Sequence, residues 1–155
     1  MRTIYLTFLL LPQLVPAQKI SQQIQPGTHT VWLATNQFVL QASLMASFRT
    51  IDQAVYVDLF DEGEPIGAHD YAAFVVGQDT VVAYSTGPQI GSAINTTLSL
   101  HEYVMTVDDL RKLAQAPLTR VIITHVGGFQ YVEVPERTQD RVQTWSKALL
   151  NAMGR

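Results

Sequence analysis

The sequence contains no cysteine. Disulfide staples, thiolate nucleophiles and the acylated thiol of bacterial lipoproteins are therefore excluded, and stability must come from a packed core. Basic residues are missing between Arg49 and Arg111, a stretch that holds ten Asp and Glu. From Arg111 onward seven Lys and Arg face three acids. These bases neither cluster nor interleave with aromatics as a nucleic-acid site requires, so no nucleic acid is expected as a partner. The asymmetry reads instead as two halves of one fold with complementary surfaces. The sequence also has no phosphate-binding G-x-x-x-x-G-K-[ST], no dinucleotide G-x-G-x-x-G, no H-E-x-x-H and no G-x-S-x-G elbow. No cofactor is expected on that ground.

Long apolar runs are also scarce. The run Ile4 to Leu11 comes after Arg2 and is too short for a bilayer, which needs ~20 residues. Next are Pro12, then Val15 and Ala17, small enough for the −3 and −1 pockets of a signal peptidase. Charge, apolar run and small-residue boundary thus come in the order of a signal peptide over residues 1–17, cleaved after Ala17. The expected localisation is export to a periplasmic or extracellular space, with no membrane span after signal-peptide removal. A cysteine-free exported domain suits a bacterial source better than a disulfide-rich animal one. The polar residues 18–30, with the turn signal Pro26-Gly27, read as a flexible lead-in, and 31–155 as a single mostly β domain.

Alternation dominates that domain. Phe38, Leu40, Ala42, Leu44, Ala46 and Phe48 alternate with Val39, Gln41, Ser43, Met45, Ser47 and Arg49, which predicts one long half-buried strand. A second strand over Ala54 to Phe60 puts Val55, Val57 and Leu59 on one face. Further strands are expected at Tyr71 to Val76 and Val81 to Ser85, across the tight turn at Gly77, and at Thr96 to Met105 with Leu98, Leu100 and Val104 on one side. Thr106 can cap a short helix over about 107–115, with Asp109 completing a capping box and Leu110, Leu113 and Ala114 as its buried stripe. Gly127-Gly128 predicts a hairpin joining Leu118 to Val126 with Phe129 to Val134, in a register that sets Ile123 against Val132. After Pro135, Thr138 can cap a C-terminal helix over about 138–153, whose apolar residues Val142, Trp145, Leu149 and Met153 face the core.

The expected fold class is α+β, mainly β: an antiparallel meander or β-sandwich-like sheet with these two helices. The order of strand, Thr-capped short helix, strand, glycine turn, strand and closing helix over Thr96 to Met153 resembles that of small exported bacterial proteins of unknown function. The resemblance implies a compartment and a style of fold and transfers no site residue.

Chemistry-bearing residues are few. His69-Asp70 and His101-Glu102 are donor pairs suited to zinc, but neighbours on a strand point to opposite faces, so only one member of each pair could serve a shared metal. His69 and His101 are the histidine candidates. Asp58 and Asp61, with Glu62 and Glu64 around a turn, are oxygen donors for a hard cation, although no EF-hand pattern is present. Tyr56, Tyr71, Tyr84 and Tyr103 fall in successive strands, and on a shared sheet face they would form an aromatic platform for a protein, peptide or glycan. Recognition needs no catalytic constellation, so these residues point to an exported non-enzymatic binding or interaction module. The alternative is a small metal-assisted or carboxylate-based hydrolase.

Overall fold

The computed structural model describes residues 20–24, 31–61, 70–87 and 99–154. They form ten strands, two helices and one 3-10 turn in chain order: β1 Ser21–Ile24, β2 Val31–Ala34, β3 Phe38–Gln41, β4 Leu44–Ile51, β5 Ala54–Asp61, β6 Tyr71–Val76, β7 Asp79–Ser85, β8 Ser99–Thr106, α1 Val107–Leu113, β9 Leu118–His125, β10 Gly128–Glu133, the 3-10 turn Glu136–Thr138, and α2 Asp140–Ala152. The strands make one open antiparallel sheet rather than the two facing sheets of a sandwich. Its order is β1-β2-β4-β5-β8-β7-β6-β9-β10, with β3 beside β4. The fold is α+β and mainly β, as the patterning predicted. Among the described residues no helix is long and apolar enough to cross a membrane. The signal-peptide stretch 1–17 lies outside the described residues.

Strand periodicity divides the sheet into a core face and an outer face. Leu40, Leu44, Phe48, Val55, Val57, Leu59, Phe74, Val121 and Ile123 are fully or almost fully buried on the core side. Leu110 and Leu113 of α1, and Val142 and Leu149 of α2, close over them. Because α2 touches β2, β4 and β9, strands far apart in the sheet order, the sheet curls around the helices. The curl is fixed by polar ties as well. The Thr138 hydroxyl donates to the Leu40 carbonyl at 2.7 Å, and Arg141 Nη1 donates to the Val39 carbonyl at 2.8 Å.

Several expectations change in detail. Ser21–Ile24, read as part of a lead-in, pairs with β2 as a strand. The long strand over Phe38 to Phe48 is a hairpin, turning at Ala42-Ser43. A register shift between Val39 and Gln41 keeps the even-numbered residues facing the core on both sides of that turn, so the alternation ran through it unbroken. The C-terminal hairpin is present with its pairing displaced by two residues: Ile123 faces Gln130 and Val121 faces Val132. Val126-Gly127 makes the turn, and Gly128, at φ 140°, supplies the backbone conformation that only glycine adopts readily. Thr138 caps nothing; it sits buried in the 3-10 turn, and α2 begins after Gln139 without a side-chain cap. Trp145 is half-buried and stacks on Phe38, with ring centroids 6.0 Å apart, rather than lying in the core. In β8 the buried residues are His101, Tyr103 and Met105; Leu100 and Val104 share one side, as expected, and that side is the outer face.

The sheet is thinly stitched in its middle. Among the described residues β7 and β8 share only the pairs Tyr84 with Val104 and Ser85 with Tyr103, extended by a bond from the Thr86 N–H to the Glu102 carbonyl at 3.2 Å. Beyond Val104, β8 runs on through Thr106 directly into α1 and leaves β7 behind. The Thr106 cap explains why the chain turns there. Its hydroxyl oxygen accepts from the Asp109 N–H at 3.1 Å, while the Asp109 carboxylate accepts from the Thr106 N–H at 3.2 Å. The helix therefore starts where the strand would otherwise continue its pairing.

Candidate functional site

Cross-strand pairing assembles one row of side chains on the outer face. Phe129 of β10 lies opposite Thr124 of β9. The Thr124 Oγ1 accepts from the Tyr71 N–H at 2.6 Å and its hydroxyl donates to the Tyr71 carbonyl at 3.0 Å. Tyr71 of β6 then faces Tyr84 of β7, Tyr84 faces Val104 of β8, Val104 faces Tyr56 of β5, and Tyr56 faces Arg49 of β4. Six steps at the usual strand spacing make a row roughly 30 Å long. Tyr84 is 61% exposed and Phe129 59%. Tyr131, two residues along β10, is 63% exposed and packs 6.4 Å from Phe129 by ring centroids.

The row ends in a polar knot around Arg49. Its guanidinium lies 4.7 Å from the Tyr56 ring centroid and 5.7 Å from that of Trp32, a cation–π arrangement on both rings. Arg49 Nε donates to Asp58 at 3.3 Å, and Nη2 pairs with Glu102. The Thr86 hydroxyl donates to Glu102 at 2.7 Å. Asp58 and Glu102 face each other on adjacent strands, a like-charge juxtaposition that Arg49 neutralises.

Beside the row, the split between β7 and β8 opens into a cleft of about 710 Å³, within the size range of small-molecule sites. Ala54, Val82, Tyr84, Val104, Met105 and Val107 give it an apolar floor, and Gln53, Thr106, Asp108, Asp109 and Arg111 a polar rim. Arg111 pairs with Asp108 across the first turn of α1. Burial works against the Asp109 charge, yet hydrogen bonds from the Thr106 hydroxyl and N–H, with Lys112 nearby, hold its carboxyl below the usual carboxylate value. Tyr84 and Val104 belong to both the row and the cleft, which makes one continuous surface of the two.

Three of the four tyrosines singled out from the sequence, Tyr56, Tyr71 and Tyr84, therefore share this face. The fourth, Tyr103, is on the opposite side and fully buried in the core. Of the metal candidates, His101 and Asp58 fall on opposite faces of the sheet. His101 is buried on the core face, paired with Leu59, whereas Asp58 lies on the outer face and is bound by Arg49. A cation at Asp58 would have to displace that guanidinium. His69, Glu62 and Glu64 lie outside the described residues, and Asp61 is placed only through its backbone pairing with Leu44 and Ser99. Among the described residues no three His, Asp or Glu gather as a metal site. On the outer face Arg49 engages both Asp58 and Glu102.

Phe129, Thr124, Val104 and Arg49 are site residues that sequence patterning did not single out. Phe129 and Tyr131 alternate outward after a glycine turn, which was the available signal. Arg49 sits at an outward position of the alternation that begins at Phe38. The class defined by these features is an open-sheet α+β protein with an aromatic outer face beside a cleft. No protein-family model matches the chain, and neither a curated protein nor a solved structure does so.

Proposed function

We propose that the chain is an exported, non-enzymatic binding module that holds an extended ligand with flat apolar faces, a linear glycan, along the row from Phe129 to Arg49. The observation that carries this reading is the row itself: four aromatic side chains on one sheet face, in register across strands. Aromatic faces gain from stacking on flat apolar surface, and Tyr hydroxyls keep a polar handle. A peptide is the weaker fit, because extended peptides draw their affinity from main-chain bonds along a sheet edge, and a row that crosses the strands on the face offers rings instead. The polar groups of Ser47, Arg49, Asp58, Thr86 and Glu102 at one end supply hydrogen-bonding partners for ligand hydroxyls.

Titration with soluble linear hexasaccharides, monitored by NMR, tests the reading. The ring signals of Tyr56, Tyr71 and Tyr84 are expected to shift together, and Tyr84→Ala, at an exposed position, is expected to weaken binding about tenfold while leaving the fold intact. Saturation curves indifferent to Tyr84→Ala would place the site elsewhere.

Export rests on the signal-peptide pattern of residues 1–17. Mass spectrometry of the protein recovered outside the cytoplasm is expected to find a chain starting at Gln18. A recovered chain that retains Met1 would remove that part of the reading.

A further inference from the structure

The other end of the row lies on β10. β10 pairs with β9, and among the described residues nothing pairs with its other edge. Its hydrogen-bonding direction can be read from one contact: the Val134 N–H donates to the Thr119 carbonyl at 2.9 Å, toward β9. Strand geometry alternates, so Gln130 and Val132 also point their amides at β9, while Phe129, Tyr131 and Glu133 point theirs outward. Natural sheets blunt such an edge with lysine, proline or inward charges. Here the strand reads Gly128-Phe129-Gln130-Tyr131-Val132-Glu133, with one charge at its end, and that charge is held within the chain by Arg120 at 2.5 Å.

We infer that β10 is a homodimer edge: two copies pair their β10 strands antiparallel about a twofold axis at Gln130 and extend the sheet from one chain into the next. The strand is self-complementary in this register. Phe129 of one chain meets Tyr131 of the other and the reverse, on the same outer face, so the exposed Phe129 and Tyr131 rings form one four-ring cluster. Both of those residue pairs have outward N–H and C=O groups and exchange two hydrogen bonds each. Each Glu133 falls opposite Gly127 of the other copy, so the two carboxylates sit at opposite ends of the interface. A second copy is favoured over a foreign strand because the chain already carries the alternation of aromatic side chains and outward amides that this edge requires. The twofold axis stands perpendicular to the sheet, which places both aromatic rows on one side and joins them at their Phe129 ends. The inference stands apart from the choice of ligand.

The absence of cysteine makes the register directly testable. Gln130→Cys would stand against its own copy at a non-hydrogen-bonded pair, where Cα atoms approach to about 4.5 Å, within disulfide range. Under mild oxidation it is expected to form a disulfide dimer much faster than Gln115→Cys, an exposed control after α1. Light scattering of the unmodified chain is expected to show a mass that rises from one chain toward two with concentration, and Tyr131→Lys is expected to return it to one. A single-chain mass at every concentration, together with equal cross-linking of the two cysteine variants, overturns the dimer. Fast cross-linking of Tyr131→Cys in place of Gln130→Cys overturns the register.

Discussion

Arg49 and Asp109 show how single side chains hold this surface in place. Arg49 lies between two carboxylates on neighbouring strands and two aromatic rings, so its charge is used four times over without leaving the sheet face. Its planar fork presents separate N–H donors to the two carboxylates and a flat face to the rings, a combination a lysine lacks. Asp109 closes the capping box at the cleft rim. Its carboxyl ionises more readily in the folded chain than in the unfolded one despite the opposing cost of burial, because Thr106 hydrogen-bonds the charged form. A depressed folded value means that the contribution to stability is complete above the ordinary carboxylate value of about 4, and is lost as pH falls through the folded value. Asp109→Asn is therefore expected to melt below the wild type at neutral pH, and the two melting curves are expected to converge in acid. Thermal unfolding measured across that range checks it. A gap that stayed constant into acid would show that the charge of Asp109 contributes nothing.

Whole elements were legible where one local signal dominated. The α1 cap, the Gly77 turn and the paired strands β6 and β7 all arise from residues close in sequence. Gly77 has φ 58°, and a Cβ there would come 3.2 Å from the Ala116 Cβ, so glycine is favoured on two counts. What was lost depends on distant partners. In β8 the residue types point the wrong way: His101 and Tyr103 look polar, Leu100 and Val104 look apolar, and the core took the first pair. Pairing with β5 decides this, since Val57 and Leu59, fixed on the core face, stand opposite Tyr103 and His101. A strand that pairs with a patterned neighbour inherits its parity whatever its own composition suggests. The hairpin at Ala42-Ser43 was hidden for a related reason, because the register shift in β3 preserves the alternation across the turn. The aromatic row was half visible. Tyr56, Tyr71 and Tyr84 share a parity that could be read strand by strand, but Phe129 and Arg49 join them only through the strand order, with β8 lying between β5 and β7. The bond from Thr138 to Leu40, across 98 positions, had no sequence signal at all.

At the scale of the molecule the question is whether a sheet joined by so short a seam behaves as one body. Strands β1 to β5 with β8 form one side, and β7, β6, β9 and β10 form the other; among the described residues the ladder between them is two residue pairs long. Main-chain hydrogen bonds contribute only about 1 kcal/mol net each, so the seam cannot couple the sides by itself. The helices can. α1 touches β5 and β8 on one side and β6 and β7 on the other, while α2 touches β2 and β4 on one side and β9 on the other. Leu149 of α2 is fully buried in that shared core. Leu149→Ala should cost about 2–5 kcal/mol, a large part of the roughly 5–15 kcal/mol that holds a domain together. If the helices are what couple the sides, that loss must appear in both. Native-state hydrogen exchange is expected to show the amides of β5 and β6 losing protection by the same amount, in one cooperative unfolding unit. Protection that fell in β6 and β9 but held in β4 and β5 would mean two sides that fold separately and meet only at the seam.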